Sequence, residues 1–302
     1  MFEFIHIVTL QAMFECQKDG KLPPYLGSTI RGIMGHCIRD FYCDCPAVKC
    51  FQCNKKNECF YVQYFSNTGG EAGAINPYTL YVYGNGKTNW KKGDICIFEL
   101  TIFGKAAEQV YIYFDALKAM EDKGWGSERL PFRLIQVMDA VSERLIYAGG
   151  RSWMRNLTPV PLKIEARNAS HAFVHFDTLL RIVSGDQLFT SLPFRTFMQF
   201  LIRRISLVTA VCTGYEVKWE EDKLLECAQN IRIQAEEWRE VPFVRYSMNQ
   251  KNGKLELPAR TGWVLYEGDL SQFVPFLEVG KYLRIGKGAT IGFGHYEISY
   301  DR

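Results

Sequence analysis

Several features that would place this chain quickly are missing from it. No run approaches the roughly 18 apolar residues of a membrane span, which excludes a spanning helix of ordinary kind. The opening stretch 1–14 is apolar, but Glu3 and His6 interrupt it, and neither a basic start nor a small-residue cleavage site frames it. It reads as a strand rather than an export signal. Charge of one sign is also scarce: 36 basic against 33 acidic side chains leave a net +3, so any nucleic-acid surface must be a local patch. No Gly-Lys-Ser/Thr closes a phosphate loop, and the glycines near the C-terminus lack dinucleotide spacing, which disfavours nucleotide binding.

Cysteine, by contrast, is plentiful. Ten are present, five of them between Cys43 and Cys59. In a long chain without an export signal this argues for reduced thiols in a cytoplasmic protein rather than a disulfide framework. The sequons at Asn156 and Asn168 then carry no weight, because glycosylation needs the secretory route. At 302 residues, 47% hydrophobic and 23% charged, the chain is an ordered globular protein long enough for two cores.

The element pattern predicts an α+β fold. In the first half an N-terminal strand precedes an amphipathic helix over 28–41 and the cysteine cluster. Strand-like runs at 78–83 and 94–103, a helix over 106–119 and a strand or hairpin over 132–147 follow. Pro159 and Pro161 mark a linker. Beyond it the order repeats: a strand over 162–176, a helix over 194–211, extended segments at 243–248 and 262–266, a helix over 270–277 and a strand over 290–300. The Glu-, Lys- and Leu-rich stretch 216–238 predicts an additional helix. Two tandem ferredoxin-like (RRM-like) domains are expected, over residues 1–155 with a cysteine-rich insertion at 43–61, and over residues 156–302.

Three places suggest chemistry. On the first helix, Ile30, Ile33, Met34, Cys37, Ile38 and Phe41 form an apolar side, while Ser28, Gly32, Gly35, His36 and Arg39 share the other. Two glycines cost about 1 kcal/mol each relative to alanine in a helix, so close approach of another backbone, protein or RNA, is expected there. His36 suits a general acid or base for RNA cleavage, because imidazole titrates near neutrality, and Arg39 suits charge stabilisation on a phosphate. The plain alternative is a solvent-facing or interdomain histidine.

The second place is the series Cys45, Cys50, Cys53 and Cys59, with Cys43 as a nearby alternative. Four thiolates suit a structural zinc ion that holds a loop lacking its own core; an iron–sulfur cluster accepts the same ligands, and reduced thiols without metal remain the third reading. The third place is the run 286–294, GKGATIGFG. Read as a turn entering a strand, it sets Gly292 and Gly294 on one face with exposed amides, close to Gly286, Lys287, Gly288 and Arg284, a pattern that suits an RNA backbone. A tight turn that simply needs glycine is the alternative.

These residues resemble a family. KLPPYLGSTIRGIMGH at 21–36 followed by the cysteine cluster is similar to the N-terminal half of CRISPR-associated repeat-RNA endoribonucleases of the RAMP superfamily. FDT at 176–178 with RRIS at 203–206, then RYS at 245–247, GWVLYEGDL at 262–270 and the glycine loop, resemble the second half in order. The resemblance implies two ferredoxin-like domains and metal-independent cleavage by 2′-hydroxyl attack, leaving a 2′,3′-cyclic phosphate and a 5′-hydroxyl. It further implies binding of CRISPR repeat RNA by the glycine loop and basic residues such as Arg245, with other effector subunits as further partners. It places His36 as general acid or base, Tyr25 as a tyrosine that orients ribose or phosphate, and Arg39 in place of a lysine.

The main rival function is a non-catalytic RAMP subunit that binds guide RNA, since one fold serves both. A metal-dependent nuclease has only Glu216-Val-Lys218 as a hint, without a partner aspartate. A generic single-strand binder would stack bases on aromatics such as Tyr282 and Phe293.

Overall fold

Alternation makes the first strand. In β1 (His6–Cys16) the side chains of Val8, Leu10, Ala12, Phe14 and Cys16 are buried on one face, while Gln11, Met13 and Glu15 are only partly covered on the other. The computed structural model describes residues 1–66, 75–184, 187–218, 220–246 and 254–301, and these fall into two units. The first comprises Phe4–Pro161 with Val211–Thr213; the second comprises Leu162–Ala210 and Gly214–Arg302 with Met1–Glu3.

In the first unit, β1 leads to α1 (Gly27–Tyr42), β2 (Tyr78–Val82), β3 (Ile95–Phe103), α2 (Val110–Ala119), β4 (Phe132–Asp139), β5 (Arg144–Ala148) and β6 (Arg151–Ser152). The sheet order is β2-β3-β1-β4-β5-β6, and the short β7 (Val160–Pro161) pairs with His6 and Ile7 of β1. Its centre, β2-β3-β1-β4, is an antiparallel ferredoxin-like arrangement. Ile30, Met34, Cys37 and Ile38 of α1 join Val110, Tyr113, Phe114 and Leu117 of α2 in one core with the inward residues of β1 and β3.

The second unit repeats the plan. β8 (His171–Leu180) is followed by α3 (Phe194–Thr213), α4 (Glu221–Ala228), β9 (Arg232–Val241), β10 (Val244–Tyr246), β11 (Lys254–Glu256), β12 (Ala259–Glu267), α5 (Val274–Leu283) and β13 (Glu297–Asp301). The order β9-β12-β8-β13 matches the first centre strand for strand. Phe194 of α3 packs on Tyr266 and Phe197 on both Phe176 and Tyr266, while Leu201 and Ile205 further along the helix are buried. The chain is thus α+β, built of two ferredoxin-like halves.

Four expectations are corrected. The stretch 216–238 is not one helix: α4 ends at Ala228, and the second strand of the unit begins at Arg232. Among the described residues that strand pairs on one side only and has no buried residue, so it lacks the apolar alternation by which strands are read. The strand expected over 290–300 is confined to Glu297–Asp301, because the preceding glycines turn into left-handed conformations. The strand expected over 162–176 lies at His171–Leu180. Phe41, expected in the core, is 61% exposed. Of the extended segment expected at 243–248, residues 247 and 248 lie outside the described residues.

Candidate functional site

In the first unit, α1 carries His36 on its solvent side. The imidazole is exposed and forms no hydrogen bond or ion pair with the described residues. One turn earlier, Gly32 is exposed, and a methyl group added there would meet nothing within 4 Å. The helix therefore presents an open patch beside an unengaged imidazole. One turn later, Asp40 pairs with Lys123 at 2.5 Å.

Gly35 does not belong to that open patch. It is buried, and an added Cβ would stand 2.7 Å from Phe65 Cε1. Phe65 in turn stacks on Tyr78 at 5.1 Å, and Tyr78 accepts a hydrogen bond from Arg31 Nε at 3.2 Å. The close approach expected at the two glycines is thus a ring of the chain's own core at Gly35, and solvent at Gly32.

Arg39 is half-buried and turned toward the cysteine loop. It donates to the Pro46 carbonyl at 3.4 Å, and its guanidinium lies over the Tyr61 ring at 5.7 Å. Tyr25 is half-buried just ahead of α1, in a segment held to the 84–90 turn through Gly86 N to Pro24 O at 2.7 Å and Leu22 N to Thr88 O at 3.0 Å. Ser28 Oγ, in the first turn of α1, is buried and has no hydrogen-bond partner among the described residues.

The cysteine loop contributes no buried residue between Cys43 and Cys59; the chain returns to the core at Phe60 and Phe65. Cys43, Cys45, Cys53 and Cys59 line one cavity of about 300 Å³ with Lys55 and Glu58. Burial, followed by a hydrogen bond with the Cys53 thiol, raises the Cys45 pKa; burial likewise raises that of Cys50. The thiol chemistry suits zinc, but among the described residues no three His, Cys, Asp or Glu side chains are grouped so as to hold a metal ion. The closed thiolate site expected from the spacing is not formed in this arrangement.

In the second unit the glycine run is a loop latched to the end of β8. Gly286, Gly288, Gly292 and Gly294 all have left-handed φ, between 75° and 92°. At Gly286 a Cβ would stand 2.6 Å from the Arg181 carbonyl, and at Gly294 it would fall on the Ile285 carbonyl. Gly292 and Gly294 are not exposed strand residues as expected: both are buried, and Gly294 N donates to Leu179 O at 2.8 Å. The amides of Gly288, Ala289 and Thr290 have no backbone acceptor among the described residues, and Lys287 beside them is exposed.

Two further assignments change. Arg284, expected on the binding surface, is 3% exposed and donates to the Lys281 carbonyl. Phe293, offered as a base-stacking ring, is buried against Phe243 at 4.9 Å. Phe243 directly precedes β10, in which Arg245 is half-buried. The pattern missed one group entirely. His295 Nδ1 lies 2.6 Å from Asp177 Oδ1, and the only hint of it was Asp177-Thr178 in the family-like patch.

No described helix is long and apolar enough to cross a membrane. Residues 5–159 match a family model, AF_1859_N, described as an N-terminal domain, and residues 174–296 match the model of the CRISPR-associated endoribonuclease Cas6. An uncharacterized protein of Archaeoglobus fulgidus is 22% identical over 150 residues, 48% of this chain and 51% of its own length. Among solved structures, a partial Cas6-RT-Cas1–Cas2 complex is similar with TM-score 0.64 at 10% identity, covering 99% of this chain and 47% of that one. A Cas6 product complex gives 0.59 at 13%, covering 97% and 100%. Thermus thermophilus Cas6 gives 0.57 at 13%, covering 98% and 99%. The match thus spans about half the length of the curated relative, and the chain about half of the first of these structures.

Proposed function

We propose that the chain, whose residues 174–296 match the model of the CRISPR-associated endoribonuclease Cas6, cuts CRISPR precursor RNA within its repeats without a catalytic metal ion. The observation that carries the cleavage step is His36, an exposed imidazole without a partner among the described residues, next to the open patch at Gly32. The ribose 2′-hydroxyl loses its proton as its oxygen attacks the adjacent phosphorus. The bond from phosphorus to the 5′ oxygen breaks, and that oxygen takes up a proton. The products are a 2′,3′-cyclic phosphate and a 5′-hydroxyl. His36 handles one of the two proton transfers, as general acid or base. Tyr25 orients the ribose or phosphate, and the donors of Arg39 not used on Pro46 offset charge on the phosphate.

Binding falls to the second unit in this reading. Lys287 and the amides of Gly288, Ala289 and Thr290 receive a backbone phosphate, with Arg245 alongside, while Gly286, Gly292 and Gly294 shape the loop. The partners that follow are repeat RNA and other CRISPR effector subunits. In His36→Ala, cutting of a labelled repeat RNA should fall by at least about 100-fold with RNA affinity kept within about threefold. Undiminished cutting would remove His36 from the mechanism. A wild-type protein that binds the repeat but never cuts it would make the chain a non-catalytic RAMP subunit.

Cys45, Cys50, Cys53 and Cys59 remain the proposed ligands of a structural zinc ion, which would require the loop to draw its thiols together around the cavity. Elemental analysis of the purified protein tests this: one zinc per chain supports the assignment, and none removes it.

A further inference from the structure

The Asp177–His295 pair sits where β8 meets the glycine loop. His295 Nδ1 to Asp177 Oδ1 is 2.6 Å, with the imidazole side chain 9% exposed and the carboxylate 23%. An ionised carboxylate only accepts, so Nδ1 carries the proton whatever the state of Nε2. The other ring nitrogen stands 3.5 Å from Glu297 Oε1, a side chain that is mostly in solvent. Thr178 completes the attachment. His295 N donates to Thr178 Oγ1 at 2.9 Å, and the Thr178 hydroxyl donates to His295 O at 3.4 Å.

Around this pair the loop touches the end of β8 twice more, through Gly294 N to Leu179 O at 2.8 Å and Lys287 N to Arg181 O at 2.9 Å. Both ends of the nine-residue run are therefore tied to residues 177–181. The bonds inside the run, Ile291 N and Phe293 N to Gly288 O and Gly292 N to Ala289 O, are local and would survive if the run swung as a body. Four left-handed glycines give that run more backbone freedom than residues with side chains at those positions would allow. The short Asp177–His295 side-chain bond adds to these backbone ties in restricting it. The buried Arg284 opposes protonation of the ring, while Asp177 and Glu297 favour it; burial dominates and lowers the His295 pKa.

We propose that Asp177 and His295 are positioning residues that hold the glycine loop in the conformation that receives an RNA phosphate. The inference rests on the reading of that loop as an RNA-binding element and assigns a role that the cleavage step does not need. Neither side chain touches the RNA. Their effect is preorganisation: without the pair the loop samples other conformations, and binding must restore the one that fits.

Two measurements on the full chain test it. In the free protein, imidazole-labelled NMR should show a protected Nδ1 proton for His295, absent in Asp177→Ala, with amide shifts moving through 286–294. In filter binding to a labelled repeat stem–loop RNA, Asp177→Ala and His295→Gln should each weaken affinity about tenfold, with the loss concentrated in Kd rather than in the single-turnover rate at saturating RNA. Asp177→Asn, which keeps an acceptor without charge, should recover part of the affinity. Failure of the wild-type protein to bind the RNA would overturn the RNA reading and this inference's role with it, while the NMR arm would still show whether the latch forms. Absence of the Nδ1 proton, or folded variants with unmoved loop amides and unchanged Kd, would overturn the latch alone.

Discussion

Gly32 and Gly35 lie three residues apart in one helix, and a methyl group added to each has opposite consequences. At Gly32 there is open space, so Gly32→Ala should stabilise the protein by about 0.5–1 kcal/mol through helix propensity alone. At Gly35 the added carbon meets the edge of Phe65, a ring fixed by its stack on Tyr78, so Gly35→Ala should destabilise by about 1–3 kcal/mol. Urea titration of the two variants checks both signs. The cysteines separate in the same way. Burial pushes the Cys37 thiol up to about 11 and the Cys96 thiol up to about 12. A raised thiol pKa keeps the neutral form, so at pH 8 these two supply almost no thiolate, and only strongly alkaline solution would change that. In protein stripped of metal, iodoacetamide at pH 8 should therefore modify the half-exposed Cys43, Cys53 and Cys59 well before Cys37 or Cys96, as read by mass spectrometry of timed digests.

At the scale of elements, what the sequence revealed depended on burial. The alternation of β1 and the apolar stripe of α1 are legible because each has one face in the core, and Phe41 was misjudged only because it falls at the last turn, where the stripe runs out of partners. β9 was invisible for the opposite reason. Its sequence, RIQAEEWREV, carries charge on an edge strand that has no buried residue, and Glu and Arg read as helix. In the glycine loop, spacing alone does not distinguish a strand with two glycines on one face from a chain of left-handed turns. The residues proposed to carry function follow the same division. His36 could be found from its face of α1, whereas Asp177 and His295 are 118 residues apart and meet only because β8 and the loop are neighbours in space.

For the whole molecule, a net charge of +3 means that the proposed RNA affinity cannot come from a general positive field. It must come from a few phosphate contacts, and each should be countable. In Lys287→Ala the slope of log affinity against log salt should become shallower by about one, uniformly across RNA sequences. An unchanged slope would place the phosphate contact elsewhere. The most direct test of the account as a whole is cleavage of a labelled repeat RNA by the wild-type protein in excess EDTA, beside the same RNA carrying a single 2′-deoxy nucleotide at the cut site. The account predicts a cut in EDTA with 2′,3′-cyclic phosphate and 5′-hydroxyl ends, and none in the 2′-deoxy RNA. Cleavage that requires magnesium, or that proceeds through the 2′-deoxy position, would contradict it.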